Sequence, residues 1–148
     1  MHMSYSSKIS RIVMVGMVMT MPYLAWAGPI KVVTITEDFA SITKEIGGDL
    51  VSVTPLVRGS RNLHNINPKP SMVVHVRRAD LLVRLGMKQD GWIDGLIDVA
   101  KNARVFPGQK GYVDASERIR KLEVPTGNVD KRLGDVHKEG NPHYWLDP

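Results

Sequence analysis

The sequence predicts an α/β fold: an open parallel four-stranded sheet flanked by helices. Two observations carry that expectation. From Ile30 to Phe106, short runs rich in β-branched residues alternate with stretches whose apolar residues recur at helical spacing. The order reads β-α-β-α-β-α-β, and such alternation implies parallel strands joined by helices packed on the sheet. The 148 residues, 43% hydrophobic and 24% charged, suffice for one domain with a real core and are too few for two.

Each element has its own signals. Residues 30–36 (IKVVTIT) read as the first strand. Asp38 is placed to cap a helix running to about Ile46, which Gly47-Gly48 stops. Residues 51–57 (VSVTPLV) form a second strand, and Pro55 marks it as an edge strand or an early end. Residues 58–69 show no hydrophobic period and form a loop. Ser71, after Pro70, is placed to cap a short helix to about Ala79. Residues 80–85 (DLLVRL) make the third strand, ended by Gly86. Residues 90–101 place Trp92, Ile93, Leu96, Ile97 and Ala100 on one helical face. A fourth strand is expected at 104–106 (RVF), before Pro107-Gly108. Residues 112–140 read as loop, with a helical turn near 114–120.

The first segment follows another logic. Residues 1–11 hold Lys8 and Arg11 and no acid, residues 12–26 are uncharged and mostly apolar, and Ala25-Trp26-Ala27 puts small residues where a signal peptidase accepts them. This is the pattern of an export signal, with cleavage expected after Ala27. Fifteen residues of helix span roughly 22 Å, short of the roughly 30 Å hydrocarbon core, which argues against a membrane anchor. Met14, Met17, Met19 and Met21 then belong to the signal as flexible hydrophobes rather than to a copper site.

Composition excludes several chemistries. Cysteine is absent, which rules out disulfides, thiolate metal sites and a cysteine nucleophile. Of 20 Lys+Arg, two lie in the first 27 residues, leaving 18 against 15 Asp+Glu, or +3. That small surplus, with no basic run longer than Arg77-Arg78, gives no reason to invoke nucleic acid. No HExxH, GxSxG, GxGxxG or Walker loop occurs. Asp94 and Asp98 sit at i, i+4 beside a hydrophobic stripe and read as a solvated face.

What remains is histidine. In an open parallel sheet, ligands bind beyond the carboxyl ends of the strands. The loop 58–69, which carries His64, and the stretch 107–148, which carries His137 and His143, are both expected there. His75, mid-helix beside Arg77 and Arg78, reads as a surface residue. Imidazole suits zinc and other first-row divalent ions. A lone loop histidine is nevertheless more often a solvated polar residue than a ligand, so residue types alone leave the site open.

Two stretches go further: His64-Asn65-Ile66-Asn67-Pro68-Lys69-Pro70-Ser71, followed by Arg78-Ala79-Asp80-Leu81-Leu82, and the closing Gly140-Asn141-Pro142-His143-Tyr144-Trp145-Leu146-Asp147-Pro148. Both resemble the zinc/manganese solute-binding proteins of bacterial ABC transporters, and the resemblance runs across 30–148. It implies two α/β lobes joined by a long helix with a metal bound between them. Residues 28–148 match the N-terminal metal-binding lobe, and the C-terminal lobe is missing from the sequence, so a fragment or an interrupted gene is expected. The histidines of the first lobe match His64 and His143, and the second lobe would add a histidine or glutamate and an aspartate. His137 has no counterpart and is expected to matter less than either. The chain departs from the usual pattern at Asn62-Leu63, where Asp-Pro often stands, and at Ile66, where an aromatic residue is frequent.

The resemblance implies a monomeric, exported periplasmic protein, not an enzyme. It would capture Zn2+ (or Mn2+) and deliver it to the membrane permease of an ABC transporter. Zinc is preferred because both matched ligands are imidazoles. The alternatives are a secreted zinc hydrolase using His64, His143 and a carboxylate such as Asp147, a truncated product with little metal affinity, and an extracellular adhesion module.

Overall fold

The computed structural model describes residues 28–59, 61–127, 129 and 136–146. Residues 1–27, expected to be an export signal, with their methionines, and Asp147-Pro148 lie outside the described residues. Four strands form one sheet: β1 (Ile30–Thr34), β2 (Val51–Pro55), β3 (Leu81–Arg84) and β4 (Tyr112–Asp114). Their spatial order is β2-β1-β3-β4 and every pairing is parallel. Three helices connect them: α1 (Glu37–Gly47), α2 (Pro70–Arg78) and α3 (Trp92–Ala100). The expected four-stranded parallel α/β architecture is thus the one observed. Pro55 does lie on an edge strand, where its missing N–H costs no ladder bond.

The core follows from strand alternation. Val33 and Ile35 point to the same face as Leu82, the β3 partner of Val33, and cluster with Val76 of α2 and with Ile93, Leu96, Ile97 and Ala100 of α3. Val32 and Thr34, on the other face of β1, are also fully buried. α1 packs along β1 and β2, with Phe39 buried. Both faces of β1 are therefore dry from Val32 to Thr34, which explains why Val32 and Val33 stand side by side with no apolar–polar alternation.

The fourth strand is not where the local pattern put it. Residues 104–106 do not pair in the sheet; Ala103–Val105 form a 3-10 turn instead. Asn102 decides this. Its side-chain oxygen accepts from the Arg104 N–H, while its amide nitrogen donates to the carbonyls of Val76 and Ala79 at the end of α2. Val105 is fully buried as a plug in the core rather than as a strand residue. The chain then turns, and the strand forms at Tyr112–Asp114. Helix starts also shift. Thr36, not Asp38, caps α1, its hydroxyl accepting from Phe39 N at 3.4 Å. α2 begins at Pro70, with Lys69 rather than Ser71 at the cap position. Around 114–120 the chain makes hydrogen-bonded turns, as expected of a loop with helical character.

Candidate functional site

A cavity of about 560 Å³ opens at the carboxyl edge of the sheet. Its walls come from four connections: the start of α1 after β1, Gly59 and residues 61–64 after β2, Leu85 and Gln89 after β3, and the C-terminal stretch. His64, His137 and His143 all line it, so the two long connections do meet at one end of the sheet. His75 is exposed on α2 and does not line this cavity.

Two of the histidines are presented by the same local device. His64 follows Asn62 by two positions, and its backbone N–H donates to the Asn62 side-chain oxygen at 2.9 Å. That bond closes the 3-10 turn Leu63–Asn65. His143 follows Asn141 by two, and its N–H donates to the Asn141 side-chain oxygen at 3.0 Å. Asn141 is itself anchored: its N–H donates to the Leu122 carbonyl at 2.8 Å and its amide to Glu123 at 2.9 Å. The same Asn141 oxygen lies 3.2 Å from Nδ1 of the His143 ring. With the proton on Nδ1 donating to that oxygen, Nε2 keeps its lone pair for an electrophile.

The rings have distinct neighbours. His64 packs against His137, centroids 5.1 Å apart with 29° between the planes. His143 packs on Trp145 at 5.5 Å, and Trp145 in turn lies against Phe39 of α1 at 5.6 Å. Among the described residues, no three His, Cys, Asp or Glu side chains approach closely enough to hold an ion. In this arrangement the cavity offers a close pair of imidazoles, His64 and His137, and a third, His143, further along the segment that carries His137.

The C-terminal segment is tied to the sheet. The Tyr144 hydroxyl donates to the Leu85 carbonyl at 2.7 Å, just past the end of β3. Burial, followed by the nearby Asp114 and Asp90 carboxylates, pushes the Tyr144 phenol well above its ordinary pKa, so it remains a donor at any physiological pH. Leu85 is held in turn by Asp90, whose fully buried carboxylate accepts from the N–H of Leu85 at 2.7 Å and of Gly86 at 3.3 Å. Arg84 neutralises that carboxylate through Nε and Nη2 at 3.2 and 2.7 Å. Its Nη1 donates to Asp94 at 2.8 Å and to Tyr112 at 2.9 Å. Burial alone would lower the Arg84 pKa; the hydrogen bonds to Asp90 and Tyr112 outweigh it and raise it, so the charge is permanent. Asp94, read from sequence as solvated, is half-exposed but paired.

Sequence reasoning therefore located the two histidine-bearing connections and overlooked the parts that hold them. The repeated Asn-x-His spacing was a readable signal for the presenting turns. Nothing local marked Asp90 as buried or His137 as a neighbour of His64.

Comparison with known proteins places the chain in a family. Residues 32–148 match the family model described as ZnuA, zinc-uptake complex component A, periplasmic. The metal ABC transporter substrate-binding lipoprotein FimA of Streptococcus parasanguinis is 30% identical over 124 residues, covering 81% of this chain and 37% of that protein. The iron-binding protein YfeA of Yersinia pestis is 26% identical, over 80% of this chain and 33% of its own length. The chain thus spans little more than a third of the curated relatives it matches. Among solved structures, a zinc-bound ZnuA deletion mutant superposes with a TM-score of 0.60 at 27% identity, over 80% of this chain and 40% of that one. A manganese-bound periplasmic metal-binding protein from candidatus liberibacter asiaticus gives 0.58 at 22% identity, covering 78% and 38%, and shares the fold. With its parallel sheet, its histidine-lined carboxyl edge and a family match over 32–148, the chain belongs to the ZnuA family of periplasmic metal-uptake components.

Proposed function

We propose that this lobe captures a divalent transition-metal ion in the periplasm for delivery to the permease of an ABC transporter, with His64 and His143 as ligands and without catalysis. One observation carries the reading. Two Asn-x-His turns, 79 residues apart in sequence, present their imidazoles to one cavity at the carboxyl edge of the sheet. Neutral imidazole is a ligand of zinc and its neighbours, and the Asn141 contact favours the tautomer that leaves Nε2 of His143 available. The relatives are named for binding metals, which supports capture over the hydrolase reading. A site whose visible donors are imidazoles favours zinc over manganese. The protein acts as a monomer, and residues 1–27 serve as its export signal, removed before Gly28.

Thermal melts and calorimetric titration with zinc test the reading. Binding to the folded state raises the melting temperature by mass action. The rise is expected in the parent chain and in His75→Ala, and is expected to vanish in His64→Ala and in His143→Ala. Unchanged zinc binding in the His64→Ala, His143→Ala double variant would remove the site.

A further inference from the structure

His137 is the cavity histidine to which neither an Asn-x-His turn nor the resemblance gives a role. It is half-buried, and its position is built by the fold. The Gly140 N–H donates to the His137 carbonyl at 3.1 Å and closes a turn. Gly140 has φ +101°, and a Cβ there would meet the Leu122 carbonyl at 2.5 Å, so this turn docks directly on the Leu122 backbone and the Val124 side chain. Within the turn, Glu139 pairs with Lys88, which lies in the connection after β3, at 2.9 Å. Those contacts fix the segment that sets the His137 ring beside His64.

The spacing of the two rings fits a shared ion. A tetrahedral zinc holds each ring nitrogen at about 2.0–2.1 Å, and a ring centre lies roughly 1.1 Å further out, so two ligating imidazoles have centroids about 5 Å apart. The observed separation is 5.1 Å. The rings are stacked at 29°, so sharing an ion requires them to turn until a nitrogen of each faces the common point, which rotation about the side-chain bonds can supply. Ordinary packing of two rings also produces contacts near this distance, so the ligand role must be tested separately from the contact.

The geometry points to His137 as a third imidazole ligand, paired with His64 to receive a divalent transition-metal ion at the mouth of the cavity, with His143 six residues further along the same C-terminal segment. This rests on the metal-capture reading and extends it by one residue. It also reverses the expectation that His137 matters less than the other two.

Zinc alone is the probe, titrated into the metal-free chain. Calorimetry gives the affinity, and long-range proton–nitrogen correlation spectra report on each histidine ring. Loss of a second-shell partner typically costs 10–100-fold in metal affinity, and loss of a ligand should cost at least as much. His137→Ala should therefore lose tenfold or more, and His137→Asn likewise, with the metal-free melting temperature of the Asn variant close to the parent's. In the parent, zinc should move a ring-nitrogen resonance of His137 along with that of His64, a readout that needs no variant to fold. Parent-like affinity in both variants, with a His137 ring that does not respond to zinc, would overturn the inference and leave the His64/His143 reading standing. A parent chain that binds no zinc would overturn both. His75→Ala is the control and should bind as the parent does.

Discussion

Replacing Asp90 by alanine tests the structural logic most directly. Asp90 is fully buried, and its carboxylate takes four hydrogen bonds, two from Arg84 and one each from the N–H groups of Leu85 and Gly86. Removing one partner of a buried ion pair costs about 3–5 kcal/mol, because the remaining charge is left uncompensated. The orphaned Leu85 N–H would add about 1–3 kcal/mol. Asp94 keeps its contact with Nη1 of Arg84, but its side chain is 58% exposed, and such a solvated pair offsets at most about 1 kcal/mol. The expected net loss is about 3–7 kcal/mol, a large share of the roughly 5–15 kcal/mol that stabilises an ordinary domain. At about 3–6 °C per kcal/mol for a domain of this size, the melting temperature should fall by roughly 10–40 °C. Urea denaturation followed by tryptophan fluorescence, with Trp92 and Trp145 as reporters, measures the loss. The double change Arg84→Met, Asp90→Leu should recover much of it, since apolar replacement of a buried pair is often close to neutral. A loss below about 1 kcal/mol in Asp90→Ala would refute the claim that this pair organises the rim of the cavity.

Other outcomes are equally definite. Tyr144→Phe keeps the ring contacts with Phe39 and Trp145 but removes the donor to the Leu85 carbonyl, and should cost about 1–2 kcal/mol in urea denaturation. Zinc affinity in that variant should fall by less than in His143→Ala, because the ligand itself is retained; a loss as large would give the hydroxyl a direct role at the metal. Gly86→Ala should destabilise by more than about 1 kcal/mol in thermal melts, since Gly86 has φ +76° and an added Cβ would collide with the side chains of Asp114 and Ser116. A parent-like melting temperature there would show that the turn after β3 relaxes freely.

The sequence alone determined the broad order of elements, which rests on local period and on a residue's own chemistry. The alternation of β-branched runs with helical stretches specified a parallel α/β sheet, because those periods are set by backbone geometry that each segment carries within itself. Pro55 marked its strand as an edge for the same reason: the missing N–H is a property of the residue. Donor type and connection length were enough to send His64 and His143 to one end of the sheet. Tertiary structure decided whatever depends on partners distant in the chain. Arg104-Val105-Phe106 has strand composition, yet Asn102 bonds back to the end of α2 and Val105 fills the core, so the strand moved to Tyr112–Asp114. Asp90 has the composition of a helix start, but Arg84 and two backbone N–H groups made its burial tolerable. His137 stands in a charged, irregular stretch with no period to read; its ring lies beside His64 in the folded chain, where the turn at Gly140 and the Lys88–Glu139 pair hold the segment that carries it. Such contacts join residues tens of positions apart, and their energies exist only once the chain has closed the loops between them.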